Sequence, residues 1–276
     1  MSNFSASISD LVQPVGGTHA IERVSVGIEW AEELSHAQMV ELSDLLDPDA
    51  LGLGRKIEIR STEISGDDSE ELRVPSAEET NLTAIYLDYG FDEVDDDHIP
   101  AILVRRNGML YSVKNNYEGW TRTRQKATEF SEIILSYVRQ HIEIRSIGLQ
   151  VIDAFLLKAS GFDFAKILNK ECDLLPPKIF KADKHWHIDL GFFEVENEGE
   201  RLLTNAKLAY VPEVSKNKLT ITCLHRLDSA AVRKEPISVA DAISKYDILY
   251  SKNKELIEQV LHKDVASLIG LGTEDK

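Results

Sequence analysis

AILVRRNGMLYSVKNNYEGWTRTRQKATEFSEIILSYVRQH, residues 101–141, contains the change of period on which the fold turns. Ile102–Val104 and Met109–Val113 are short apolar runs on either side of Arg106-Asn107-Gly108. Asn-Gly between such runs is the strongest short-range hairpin signal, so the two runs are expected to pair antiparallel. From Thr121 to His141 the period changes. Ala127, Phe130, Ile133, Ile134, Tyr137 and Val138 recur at spacings of three and four, which makes one buried stripe on a helix of about five turns. Thr121 or Thr123 is the expected N-cap, because a side-chain oxygen accepts from the free N–H groups of a first turn.

Strand patterns lie on both sides of this segment. Ala20–Trp30 alternates Ile21, Val24, Val26 and Ile28 with polar partners, apart from a slip at Glu22-Arg23, and reads as a half-buried strand. Ala37–Leu46 is short and helical or irregular, ending at Asp47-Pro48, since proline disfavours helix in the residue before it. Lys56–Ile64 and Leu82–Phe91 alternate again. Beyond the helix, Glu143–Leu157 reads as a strand that runs into a short helix or loop at Phe162–Lys170, with a break at Leu174-Leu175-Pro176-Pro177. His185–Glu196, Leu202–Val211 and Lys218–Leu227 are further strands, and a helical tail starts at Ser238 as N-cap and stops at Gly270. The expected fold class is α+β with two similar units, 19–142 and 143–270, each an antiparallel meander of about four to five strands followed by an amphipathic helix. Residues 1–18 are expected as a flexible lead-in and 271–276 as a tail.

Of the 276 residues, 43% are hydrophobic and 28% charged, which supports a core and is too apolar for a disordered chain. Asp and Glu number 47 against 31 Lys and Arg, a formal charge of −16. That excess argues against a dedicated nucleic-acid binder, whose phosphate contacts need clustered bases. The charge is uneven. Residues 1–100 hold 23 acids and 5 bases, a balance of −18, whereas residues 101–276 hold 24 acids and 26 bases, a balance of +2. The acid is concentrated at Glu29, Glu32 and Glu33, at Asp67–Glu71 and at Asp92–Asp97; Arg105, Arg106, Lys114, Arg122, Arg124 and Lys126 follow with only Glu118 between them. Cys172 and Cys223 cannot make a disulfide framework, the N-terminus has no basic and apolar leader pattern, and no window is apolar for the roughly 18–20 residues of a membrane span. A cytoplasmic location without membrane attachment is the expectation.

Three constellations invite a chemical reading. His185, His187 and Asp189 are two residues apart on one strand and would project to the same side, as metal ligands do; Cys223 and His225 repeat the spacing and would complete a zinc set. The plainer reading is the polar face of a strand whose apolar face is Trp186, Ile188 and Leu190. Tyr117-Glu118-Gly119-Trp120 stands where strand passes to helix. It is either an aromatic platform for a ligand or partner, or a plug for that corner. Arg122, Arg124 and Lys126 crowd the start of the helix, where the macrodipole favours acids, so an anion is expected to compensate them: a phosphate-bearing ligand, an acidic partner or the chain's own acidic runs. Ordinary solvation of exposed cations is the simpler alternative. Asp95–Asp97 lacks the glycine and terminal glutamate of a calcium loop. No phosphate-cradling Gly-rich loop, Gly-x-Ser-x-Gly, Cys-x-x-Cys or His-Glu-x-x-His string occurs.

Within Tyr111–Val138, Tyr117-x-x-Trp120 joins a strand to an amphipathic helix; Ile147-Gly148-Leu149-Gln150-Val151-Ile152-Asp153 follows, and Leu224-His225 comes near the last strand. In this order, over residues 20–265, the chain resembles the "sporadically distributed" family of uncharacterised bacterial proteins. In that family the glycine-leucine strand usually carries Arg and ends near an Asn, whereas Gln150 and Asp153 stand here. The resemblance implies no catalytic residues, and its patchy occurrence, like that of defence or toxin–antitoxin loci, implies a partner-dependent role. The expected function is a non-enzymatic interaction or regulatory protein that binds a protein partner encoded nearby. One alternative is a zinc-dependent hydrolase or metal sensor using the His185-x-His187-x-Asp189 strand. The other is a small anionic-ligand sensor built on Tyr117, Trp120, Arg122, Arg124 and Lys126. No cofactor is expected beyond the zinc of the first alternative.

Overall fold

In the computed structural model the described residues are 7–61, 80–89, 101–158, 163–182, 184–195, 200–212, 217–228 and 238–271. In chain order the elements are α1 (Ile8–Leu11), β1 (Val12–Pro14), β2 (Ile21–Trp30), α2 (His36–Leu45), β3 (Arg55–Ser61), β4 (Asn81–Asp88), β5 (Ile102–Arg105), β6 (Gly108–Lys114), α3 (Trp120–Val138), β7 (Ile144–Leu157), β8 (Trp186–Val195), β9 (Arg201–Pro212), β10 (Asn217–Asp228), α4 (Val239–Val260) and α5 (Lys263–Leu268). The strands form one antiparallel sheet in the order β3-β4-β5-β6-β2-β7-β10-β9-β8, with β1 also on β7.

This overturns the expectation of two meander-plus-helix units. β2 pairs with β6 and β7, not with β3, and β7 pairs with β2 and β10, not with β8. Twice the chain leaves a central strand for an edge of the sheet and zigzags back towards the centre. Alternation fixes which face a side chain takes but not which strand lies beside it, so the pattern is blind to this arrangement. Residues 7–14, expected within a flexible lead-in, form α1 and β1, and Val12 is buried where it pairs with Leu157.

The helices cover one face. Ile147, Leu149 and Val151 of β7 and Val24, Val26 and Ile28 of β2 pack in one core with Ala127, Phe130 and Ile134 of α3 and Tyr246 and Leu249 of α4. A second core joins Phe155, Leu208 and Ile221 to Leu256, Val260 and Val265. The opposite face is polar and partly open: Arg23 donates to Gln150, Ser25 meets Ser112 at 2.9 Å, and Lys218 donates to Glu22 at 2.7 Å. The β5–β6 hairpin forms as expected, although its two turn residues are Arg106 and Asn107, and Gly108 opens β6. Gly108 is required there because a Cβ would approach the Ile28 carbonyl oxygen to 2.8 Å.

α4 is capped by Ser238, whose hydroxyl accepts from the Asp241 N–H at 3.0 Å. α3 has no such cap. Its N-cap is Gly119 at φ 104°, a conformation that strains any residue with a Cβ, and Thr123 is buried in the first turn with its N–H bonded to the Gly119 carbonyl. The expected threonine cap is therefore replaced by a glycine corner. No helix among the described residues is long and apolar enough to cross a membrane.

Candidate functional site

The Asn115–Trp120 corner, where β6 gives way to α3, stands between two cavities. Trp120 stacks on Tyr250 of α4 with ring centroids 4.3 Å apart and planes 6° from parallel, and its indole N–H donates to Asp247 at 2.8 Å. The Tyr117 and Tyr250 hydroxyls lie 3.2 Å apart. Arg124 pairs with the other Asp247 oxygen at 2.9 Å. The corner thus fastens α3 to α4, a stronger version of the plug reading, in which the partner of Trp120 is another helix.

The larger cavity, about 660 Å³, lies under the first half of α3. Tyr111, Val113 and Phe130 give it an apolar floor and Arg122 and Lys126 its cationic rim, with Asp88 and Glu118 also on the lining; Lys114, two residues from Ser112 on β6, falls on the open face of the sheet. Tyr111 and Phe130 are both 3% exposed, with ring centroids 5.4 Å apart. Burial, then the neighbouring Tyr89, raises the Tyr111 hydroxyl well above the usual phenol range, so it stays a neutral phenol. Arg122 pairs with Glu118 at 2.6 Å and Lys126 with Glu129 at 3.0 Å, all four side chains well exposed. The basic start of α3 is thus compensated in part by Glu118, Glu129 and Asp247; the acidic runs at 67–71 and 92–97 lie outside the described residues.

The smaller cavity, about 180 Å³, lies between β7 and α4 and includes His19, Tyr117, Asp153, Tyr250 and Asn253. Asp153 is 3% exposed and its Oδ2 has no hydrogen-bond partner. Burial alone pushes its carboxyl up to about 7, because the charged form loses its hydration and gains nothing in return. Close by, His225 is buried with its Nδ1 3.1 Å from the Thr204 hydroxyl. Burial drives it down to about 4, with Asn253 opposing the shift and Lys252 adding to it.

The proposed zinc ligands are not brought together. Asp189 pairs with Lys207, and Lys207 with Thr222, so these side chains share the open face. Cys223 pairs with Ala206, and Ala206 with Leu190, which places Cys223 on the helix-covered face, and His225, two residues on, with it. His185 is exposed ahead of β8, while His187 and Asp189 are exposed and 4.0 Å apart. Cys223 is fully buried, and burial raises its thiol far above the usual range, which opposes the thiolate a metal needs. Among the described residues no group of three or more His, Cys, Asp and Glu is placed to hold a metal ion.

Asp247, Tyr250 and Asn253 of α4 were not singled out by sequence, because they face the corner only after the sheet brings α4 beside α3. Asp153 carried a signal. It is the one acid on the face Ile147, Leu149, Val151, Asp153, Phe155. Compared with protein-family models and with curated proteins, the chain matches none.

Proposed function

We propose that this is a binding protein whose cleft under α3 takes a small molecule with an apolar or aromatic body and an anionic group. The observation that carries the reading is the combination, in one space of about 660 Å³, of a Tyr111–Phe130 floor and an Arg122 and Lys126 rim. That volume is within the range of roughly 300–1,000 Å³ usual for small-molecule sites. The pairs Arg122–Glu118 and Lys126–Glu129 are exposed, and such pairs contribute only about 0–1 kcal/mol, so both cations can turn to a ligand at little cost. The reading develops the anionic-ligand alternative, keeping Arg122 and Lys126 and moving Trp120 and Arg124 from ligand contact to holding the corner.

Titration with anilinonaphthalene sulfonate, an aromatic anion, tests it. Saturable binding of one molecule per chain, weakened about tenfold by Arg122→Ala with Lys126→Ala and by high salt, is the expected outcome. Binding indifferent to both changes contradicts it.

A protein partner is a second reading, supported by the edge strand β8. Phe193 and Val195 are 64% and 79% exposed there, and an edge strand offers unpaired backbone groups for strand addition. Phe193→Lys is expected to abolish capture of the product of the adjacent gene; unchanged capture removes β8 as the partner surface, and no capture by the wild type removes the reading.

A further inference from the structure

The cavity under α4 holds a buried carboxylate oxygen that the protein leaves unanswered, with further hydrogen-bonding groups beside it. Asp153 Oδ2 and His19 Nδ1 are buried atoms without a hydrogen-bond partner, while Asn253 Oδ1 faces the His225 ring and keeps one lone pair for the cavity. Asp153 is 3% and Asn253 4% exposed, one from the sheet below and one from the helix above. The Tyr117 and Tyr250 hydroxyls meet at 3.2 Å, so one donates to the other and a single O–H remains for the rest of the cavity. An unanswered buried carboxylate oxygen destabilises the fold, and one with further acceptors beside it marks a space shaped for donors.

The surroundings also favour positive charge. The rings of Tyr117 and Tyr250 line the cavity, and aromatic faces attract cations. At the mouth the Lys254 ammonium already lies 5.7 Å from the Tyr250 ring centre, while Lys254 itself is exposed and free to swing aside. The space, about 180 Å³, corresponds to about six water molecules at roughly 30 Å³ each. That admits a small organic group and excludes a nucleotide or a peptide.

We infer that this cavity is a second binding site, separate from the cleft under α3, that takes the protonated amino group of a small aliphatic amine. An ammonium brings three donors and a positive charge, matching the carboxyl of Asp153, the amide oxygen of Asn253 and the tyrosine hydroxyl pair. Unlike a bulkier cation it leaves the Trp120–Tyr250 stack undisturbed. Ordinary water could satisfy some of the same atoms but would not neutralise Asp153.

Thermal unfolding of the full chain with ethanolamine hydrochloride, against equal sodium chloride, tests the site at pH 8, where Asp153 is ionised. The wild type is expected to gain melting temperature saturably with ethanolamine. Asp153→Asn, which keeps the shape and removes the charge, is expected to fold and to weaken binding at least tenfold; Tyr250→Phe, which keeps the ring, should weaken it several-fold. Melting that rises equally in wild type and Asp153→Asn, or does not rise in the wild type, overturns the inference, as does a crystal grown with ethanolamine in which the cavity holds only water. Binding of anilinonaphthalene sulfonate by the same variants is unaffected in either case, so this test stands apart from that of the α3 cleft.

Discussion

The spaces under α3 and under α4 share the Tyr117–Trp120 corner but place their charge differently. Under α3 Arg122 and Lys126 stand on the rim above an apolar floor, each beside an acid, Glu118 just ahead of the helix and Glu129 within it. Under α4 the charge is the floor: Asp153 is buried, and its Oδ2 is unpartnered. Exposed charges exchange partners at small cost, whereas a buried carboxyl lowers stability until a proton or a cation satisfies it. The first region is therefore expected to change ligand affinity with little effect on stability, and the second to change stability itself.

Asp153→Asn should give the largest effect. With the carboxyl raised from an ordinary 3.8 to about 7, the unfolded chain ionises first as pH rises. The stability attributable to Asp153 is thus fully present below about pH 4 and lost by about pH 7, a difference of roughly 4 kcal/mol at 1.36 kcal/mol per unit. His225 acts in the opposite sense. Lowered from an ordinary 6.5 to about 4, it contributes stability that is present above pH 6.5 and lost as pH falls towards 4. Between about pH 4 and 6.5 the two slopes nearly cancel. Urea denaturation across this range should show Asp153→Asn gaining stability over wild type as pH rises, by about 3–4 kcal/mol at pH 8. Parallel curves would mean that Asp153 is paired or hydrated, and the contrast between the cavities would collapse.

Trp120→Ala comes next. It removes the stack on Tyr250 and the donor to Asp247, and should cost about 2–3 kcal/mol in the same assay, somewhat less than a fully buried tryptophan. A loss below about 0.5 kcal/mol would show that the corner does not fasten α3 to α4. Arg122→Ala with Lys126→Ala should leave stability within about 1 kcal/mol while weakening the aromatic anion about tenfold. The smallest effect belongs to the far edge, where Phe193→Lys should change stability by less than about 0.5 kcal/mol, because its ring is already mostly in water.

The difference between the regions also marks what was legible in the sequence. The element types of β2, β6, α3 and β10 follow from the periods of Val24/Val26/Ile28, Met109–Val113, Ala127/Phe130/Ile134 and Leu219/Ile221/Cys223, because burial of one face imposes those periods directly. Arg122 and Lys126 stood out because their charge opposes the helix dipole. The β2–β7 pairing did not, since it joins Val26 to Leu149 with no local trace. The residues of the zinc constellation lie apart for a related reason: spacing puts His187 and Asp189 on one side of β8, and Cys223 and His225 on one side of β10, but only the register through β9 shows that the sides are opposite. Asp153 was visible as an acid in an apolar row, and its significance depends on α4, more than eighty residues away in sequence.

The central claim is that the cleft under α3 receives an anion above an aromatic floor, and a crystal structure grown with anilinonaphthalene sulfonate tests it most directly. The ring system is expected against Tyr111 and Phe130, with the sulfonate between Arg122 and Lys126 and the Arg122–Glu118 pair opened. A probe bound only at the β8 edge around Phe193 and Val195, or an α3 cleft left to solvent, would contradict it.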